Sequence, residues 1–91
     1  VKLNRDLLNN APTKDVVQAV YSLVDDLQMQ RPHIQAAATA VLFLVVADLY
    51  RVQPQDVFTT VKNLLSDPIH GEAPELRALR LYAQHELNPN A

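Results

Sequence analysis

The feature that most constrains this chain is an apolar run over residues 36–47, AAATAVLFLVVA, in which Thr39 is the only polar side chain. The run is shorter than the roughly 18 to 20 residues that span a bilayer. Wound as a helix it is apolar on every side, a pattern expected where neighbouring elements cover a helix all round. The run therefore predicts a buried central helix over about residues 32–50, opened by Arg31-Pro32, with the rest of the chain wrapped about it. Proline suits that start, because the first-turn amides have no intrahelical partner in any case.

The rest of the sequence supports an all-α fold. One glycine in 91 residues and apolar residues at spacings of three and four favour helix throughout. The prolines then mark the joints. A short first helix over residues 3–9 offers Leu3, Leu7 and Leu8 to a core. A second runs from Thr13 to about Gln30, capped by Thr13 or Asn10, with Asp15 at the positive end of its dipole. Its stripe is Val16, Val20, Leu23, Val24 and Leu27, leaving Asp25 and Asp26 to water. A fourth helix, over residues 54–66, starts at Gln53-Pro54 and buries Val57, Phe58, Val61, Leu64 and Leu65. Asp67-Pro68 closes it, and after the lone glycine, Gly71, Ala73-Pro74-Glu75 opens a fifth helix ending at Asn88-Pro89. The expectation is a small irregular or orthogonal bundle of four to five helices. The residues around Pro12 and Pro54 are alike at an offset of about 41, which the shared chemistry of helix starts is enough to explain.

Length makes residues 1–91 one domain, with 48% apolar and 20% charged residues. A net charge of −2 and a pI near 5.8 supply no global field to attract nucleic acid or an anionic membrane. With no cysteine, neither a disulfide framework nor a thiolate metal site is available, and a reducing, cytoplasmic setting fits. Lys2, Arg5 and Asp6 with no apolar run behind them do not make a signal peptide. Val1 in place of methionine is what a clipped chain or an unusual start codon of bacterial or phage type leaves. A domain of this size has little stability to spare, which favours self-association.

Catalytic and metal chemistry find little support. His33, His70 and His85 are scattered, and no pair has a spacing that sets two ligands on one helical face. Asp25 and Asp26 are adjacent and point about 100° apart, so they do not share a proton. Asp48, at the end of the apolar helix, is the one acid expected to be partly desolvated. The reading is of a non-enzyme with no metal and no cofactor.

Two binding readings remain. Ala47, Tyr50, Val52, Val57 and Val61 are spaced much as in a helix-turn-helix, which would let Gln55, Thr59, Lys62 and Asn63 of helix 54–66 face DNA. Against it, Arg51 stands where such turns often have glycine, and Lys62 and Arg51 are the only nearby cations, whereas duplex binders commonly neutralise about 6 to 10 phosphates. The preferred reading rests on the fifth helix. Leu76, Leu79, Ala83 and Leu87 form one stripe, and Ala78, Leu81, Tyr82 and His85 form a second. One stripe packs inward, and the other is expected to meet a partner protein or a second copy, unless Leu3, Leu7 and Leu8 cover it. The sequence thus predicts a non-catalytic interaction module, a small adaptor, regulator or assembly component that contacts protein and no membrane.

Overall fold

A computed structural model describes residues 3–66, 69 and 71–87. They form five helices and no strand: α1 (Arg5–Asn9), α2 (Thr13–Leu27), α3 (Pro32–Leu49), α4 (Pro54–Leu64) and α5 (Pro74–Glu86). The fold is all-α. Proline stands at the start of α3, α4 and α5, and none of these three helices has a side-chain cap, so preset backbone geometry does the work that a serine or aspartate does elsewhere. α1 is the exception, since the Asn4 side chain accepts from the amides of Asp6 and Leu7. Neither expected cap of α2 serves it. Asn10 instead donates back to the Asp6 carbonyl of α1, and the Thr13 hydroxyl reaches the Leu64 carbonyl at the end of α4. The expected ends at Asp67-Pro68 and Asn88-Pro89 lie outside the described residues.

The best-packed contact is between α2 and α5. Val17 and Val24 of α2 and Leu79 of α5 are buried, and Val20, Tyr21, Leu65, Leu76, Tyr82 and Leu87 pack around them. Tyr21 and Tyr82 meet edge to face with ring centroids 4.9 Å apart, an arrangement that aligns a positive ring edge with a negative ring face. The Tyr82 hydroxyl donates to Asp25, and the Gln28 amide donates to Glu86 at 2.8 Å, so polar groups extend the contact beyond its apolar part. Asp25 is therefore a partner of α5, not simply part of a solvated face. The core side of α2 is also rotated from the stripe expected: Val17 and Tyr21 belong to it, while Leu23 is exposed.

The remaining elements centre on α4, which packs against both α1 and α3. α1 therefore covers α4 and not the second stripe of α5. Between α3 and α4 the chain turns through Arg51, whose φ of 55° is left-handed. Two hydrogen bonds define the turn: the Arg51 amide to the Asp48 carbonyl at 3.2 Å, and the Val52 amide to the Ala47 carbonyl at 3.0 Å. This paired pattern is the Schellman helix ending, normally given to glycine because a side chain crowds the left-handed backbone.

The expected central burial of residues 32–50 does not occur. In α3 only Ala47 is buried, at 2% exposure, and the helix lies at the periphery. The molecule measures 39 × 34 × 18 Å. Its thinnest dimension is less than two helix diameters of about 10–12 Å each, so no helix can be enclosed on all sides. The radius of gyration, 14.0 Å, exceeds the value of about 12 Å for a compact domain of this length.

Candidate functional site

The largest unsatisfied surface belongs to α3. Ile34, Val41, Leu42, Leu44, Val45, Val46 and Leu49 are between 42% and 59% exposed. Water-exposed leucine or valine is unremarkable singly, but a contiguous array on one helix marks a contact surface. By length and composition α3 is also apolar enough to cross a membrane, and 6% of it is buried.

What holds α3 in place is local. At its start the Gln35 side-chain amide donates to the carbonyls of Leu27 and Gln30, at 3.0 and 2.9 Å, tying α3 to the turn after α2; the Leu27 carbonyl also accepts from the Gln30 amide at 3.0 Å. In its middle Phe43 stacks on Phe58 of α4, with ring centroids 4.7 Å apart and planes inclined by 43°. At its end the Arg51 turn fixes α4, and the Leu3 amide donates to the Tyr50 carbonyl at 3.3 Å. Gln35, Phe43 and Ala47, with Tyr50 at the C-cap, fall on one side of the helix, and every other residue of α3 is exposed. The opposite side carries Ile34, Ala38, Val41, Val45 and Asp48, all exposed. Two shallow apolar grooves flank the helix, one against Leu23 and Leu27 of α2, the other against Pro54 and Phe58 of α4.

The residues expected to bind a partner through α5 are divided. Ala78, Leu81 and His85 are exposed, whereas Tyr82 is half-buried in the α2–α5 contact. Its Asp25 hydrogen bond holds the proton on the phenol, and with partial burial pushes the Tyr82 pKa up to about 12. Leu81 lies in a shallow, charged depression with Arg77 and Arg80, the latter paired with Glu72 at 3.2 Å. The exposed apolar residues of α5 therefore amount to a small patch beside the array on α3.

The DNA-facing candidates Gln55, Thr59, Lys62 and Asn63 are all exposed on α4. Thr59 already donates its hydroxyl to the Gln55 carbonyl one turn back, and Lys62 is the single cation of that helix. Asp48, expected to be partly desolvated, is exposed. His33 and His85 are exposed, and His70 lies outside the described residues. Among the described residues no group of three or more His, Cys, Asp or Glu side chains is placed to hold a metal ion.

The α3 surface was missed because the wheel of residues 36–47 shows that a helix needs covering but not what covers it. The available signal was arithmetic: the other helices are each too short and too one-sided to enclose an 18-residue helix that is apolar all round. No family model matches the chain, and neither a curated protein nor a solved structure is found to match it.

Proposed function

We propose that this chain is a non-catalytic interaction module, an adaptor, regulator or assembly component, whose working surface is the apolar face of α3. The observation that carries the reading is the array from Ile34 to Leu49, held in place by Gln35, Phe43 and Ala47 yet open on its other side. Area gives the scale. The chain exposes 7108 Å², about 1,800 Å² more than the roughly 5,300 Å² typical of a compact monomer of this mass. At about 25 cal/mol per Å², leaving even half of that excess as apolar surface in water forgoes on the order of 20 kcal/mol of gross hydrophobic stabilisation. A surface of this kind is selected against unless something covers it.

The test separates a docking face from a core. Val41→Glu with Val45→Glu places two charges on the open side of α3. On this reading the variant keeps its helical circular dichroism at the temperature of the experiment, and its melting temperature falls only by what a partner on that face had added. Loss of helicity would show that the two valines are core residues of the folded chain, and the reading fails.

The DNA-binding reading gains one observation, since the left-handed Arg51 supplies the tight turn a helix-turn-helix requires. The scarcity of cations on α4 weighs against it. Its test is salt-dependent duplex binding that disappears in Lys62→Ala and Thr59→Ala.

A further inference from the structure

Resting on the interaction reading, we propose that the occupant of the α3 face is a second copy of this chain, packed antiparallel, α3 against α3, about a two-fold axis between residues 39 and 40. The outward line of the helix is Ile34, Ala38, Val41, Val45 and Asp48, preceded by Arg31 at the N-cap, with steps of three, four, three, four and three. That is the seam of a coiled coil, in which alternating steps keep one side chain after another facing the partner helix. It is also symmetric about its own midpoint. Reversing a second copy sets Ile34 against Val45, Ala38 against Val41, and Arg31 against Asp48.

Each of these three pairings is complementary. The small Ala38 leaves room for the branched Val41, and the longer Ile34 meets Val45, so every inner layer of the seam is apolar. At the two ends a guanidinium meets a carboxylate. Arg31 and Asp48 are both exposed, and neither side chain bonds to another described residue within the chain. A parallel arrangement would set Arg31 beside Arg31 and Asp48 beside Asp48, which like-charge repulsion disfavours. A twofold contact also closes on itself, so the same face does not propagate a filament.

The experiment uses the absence of native cysteine. Light scattering on the unmodified chain should give twice the 10.2 kDa chain mass, and Val41→Glu with Val45→Glu should halve it. Ile34→Cys and Val45→Cys are then made as separate chains. Oxidised together they should form a mixed disulfide dimer. Oxidised alone neither should cross-link, because the antiparallel seam holds identical positions eleven residues, about 16 Å, apart. A chain that stays at monomer mass at every concentration overturns the proposal, as does cross-linking of Ile34→Cys with itself, which requires a parallel pair. A monomer that floats with phosphatidylcholine–phosphatidylglycerol vesicles overturns it in favour of lipid. In the monomer outcomes, a folded Val41→Glu, Val45→Glu variant leaves the interaction reading standing with a different occupant.

Discussion

Leu79 and Leu81 stand two residues apart on α5, and their truncations should differ severalfold in cost. Leu79 is 9% exposed and belongs to the buried cluster with Val17 and Val24, whereas Leu81 is 55% exposed. Leu79→Ala removes three carbon groups worth about 0.8 kcal/mol each in transfer, and a cavity term raises the total to between about 2.5 and 5 kcal/mol. The lower half of that range applies, because Val20, Tyr21, Leu76 and Tyr82 around the site are only half-buried and can close over the gap. About 3 kcal/mol is a large share of the roughly 5 to 14 kcal/mol expected for a chain of this length, and it lowers the melting temperature by more than 10 °C. Leu81→Ala should cost less than about 1 kcal/mol, as exposed substitutions do. Urea unfolding followed by circular dichroism at one protein concentration measures both. Equal losses would mean that the α2–α5 contact is not the core, and a loss below about 1 kcal/mol for Leu79→Ala would refute the packing described.

Arg51→Gly should stabilise the chain by about 0.5 to 1 kcal/mol, because relief of a left-handed arginine exceeds the added freedom of glycine in the unfolded chain. A lowered melting temperature would show the arginine side chain to be worth more than its backbone strain. The Tyr82 hydroxyl should titrate near 12, read as the difference in tyrosinate absorbance between the parent and Tyr82→Phe. Since its folded pKa lies above the ordinary value of 10.0, its contribution to stability is complete below pH 10 and disappears between pH 10 and 12. A difference curve centred on 10 refutes the Asp25 bond. Gln35→Ala removes one of two donors to the Leu27 carbonyl and the side-chain donor to the exposed Gln30 carbonyl, and should cost about 1 kcal/mol. Amide exchange at Gln28 and Gln30 should accelerate while that of α5 does not, and unchanged rates would show that the two carbonyls do not need the glutamine.

Helix starts were the most legible part of the sequence, because proline acts through its own ring and needs no tertiary partner: Pro32, Pro54 and Pro74 each open the helix expected of them. Caps depend on where neighbouring helices sit, and there Asn10 and Thr13 took other partners. Similarly, the first stripe of α5 was visible as Leu76, Leu79, Ala83 and Leu87, but Tyr82 joined it through Tyr21, a contact across 61 residues that periodicity does not encode. The apolar wheel of residues 36–47 was read as central burial, and the helix is instead exposed, since periodicity records how apolar a helix is and not whether the same chain encloses it. A partner surface was sought on α5, where two stripes were visible, and the exposed apolar array of α3 was not anticipated.

The fastening of α3 at both ends, by Gln35 to the end of α2 and by the Arg51 turn to α4, means that its open face is already ordered before anything covers it. A partner docking on that face, as proposed, would meet a finished helix and need not induce one, so little conformational entropy would be lost on contact and the free and covered chains would have the same helical content. The event is then silent to far-ultraviolet circular dichroism. Its signature lies in heat capacity, which falls as apolar surface leaves water, in contrast to a segment that folds as it binds.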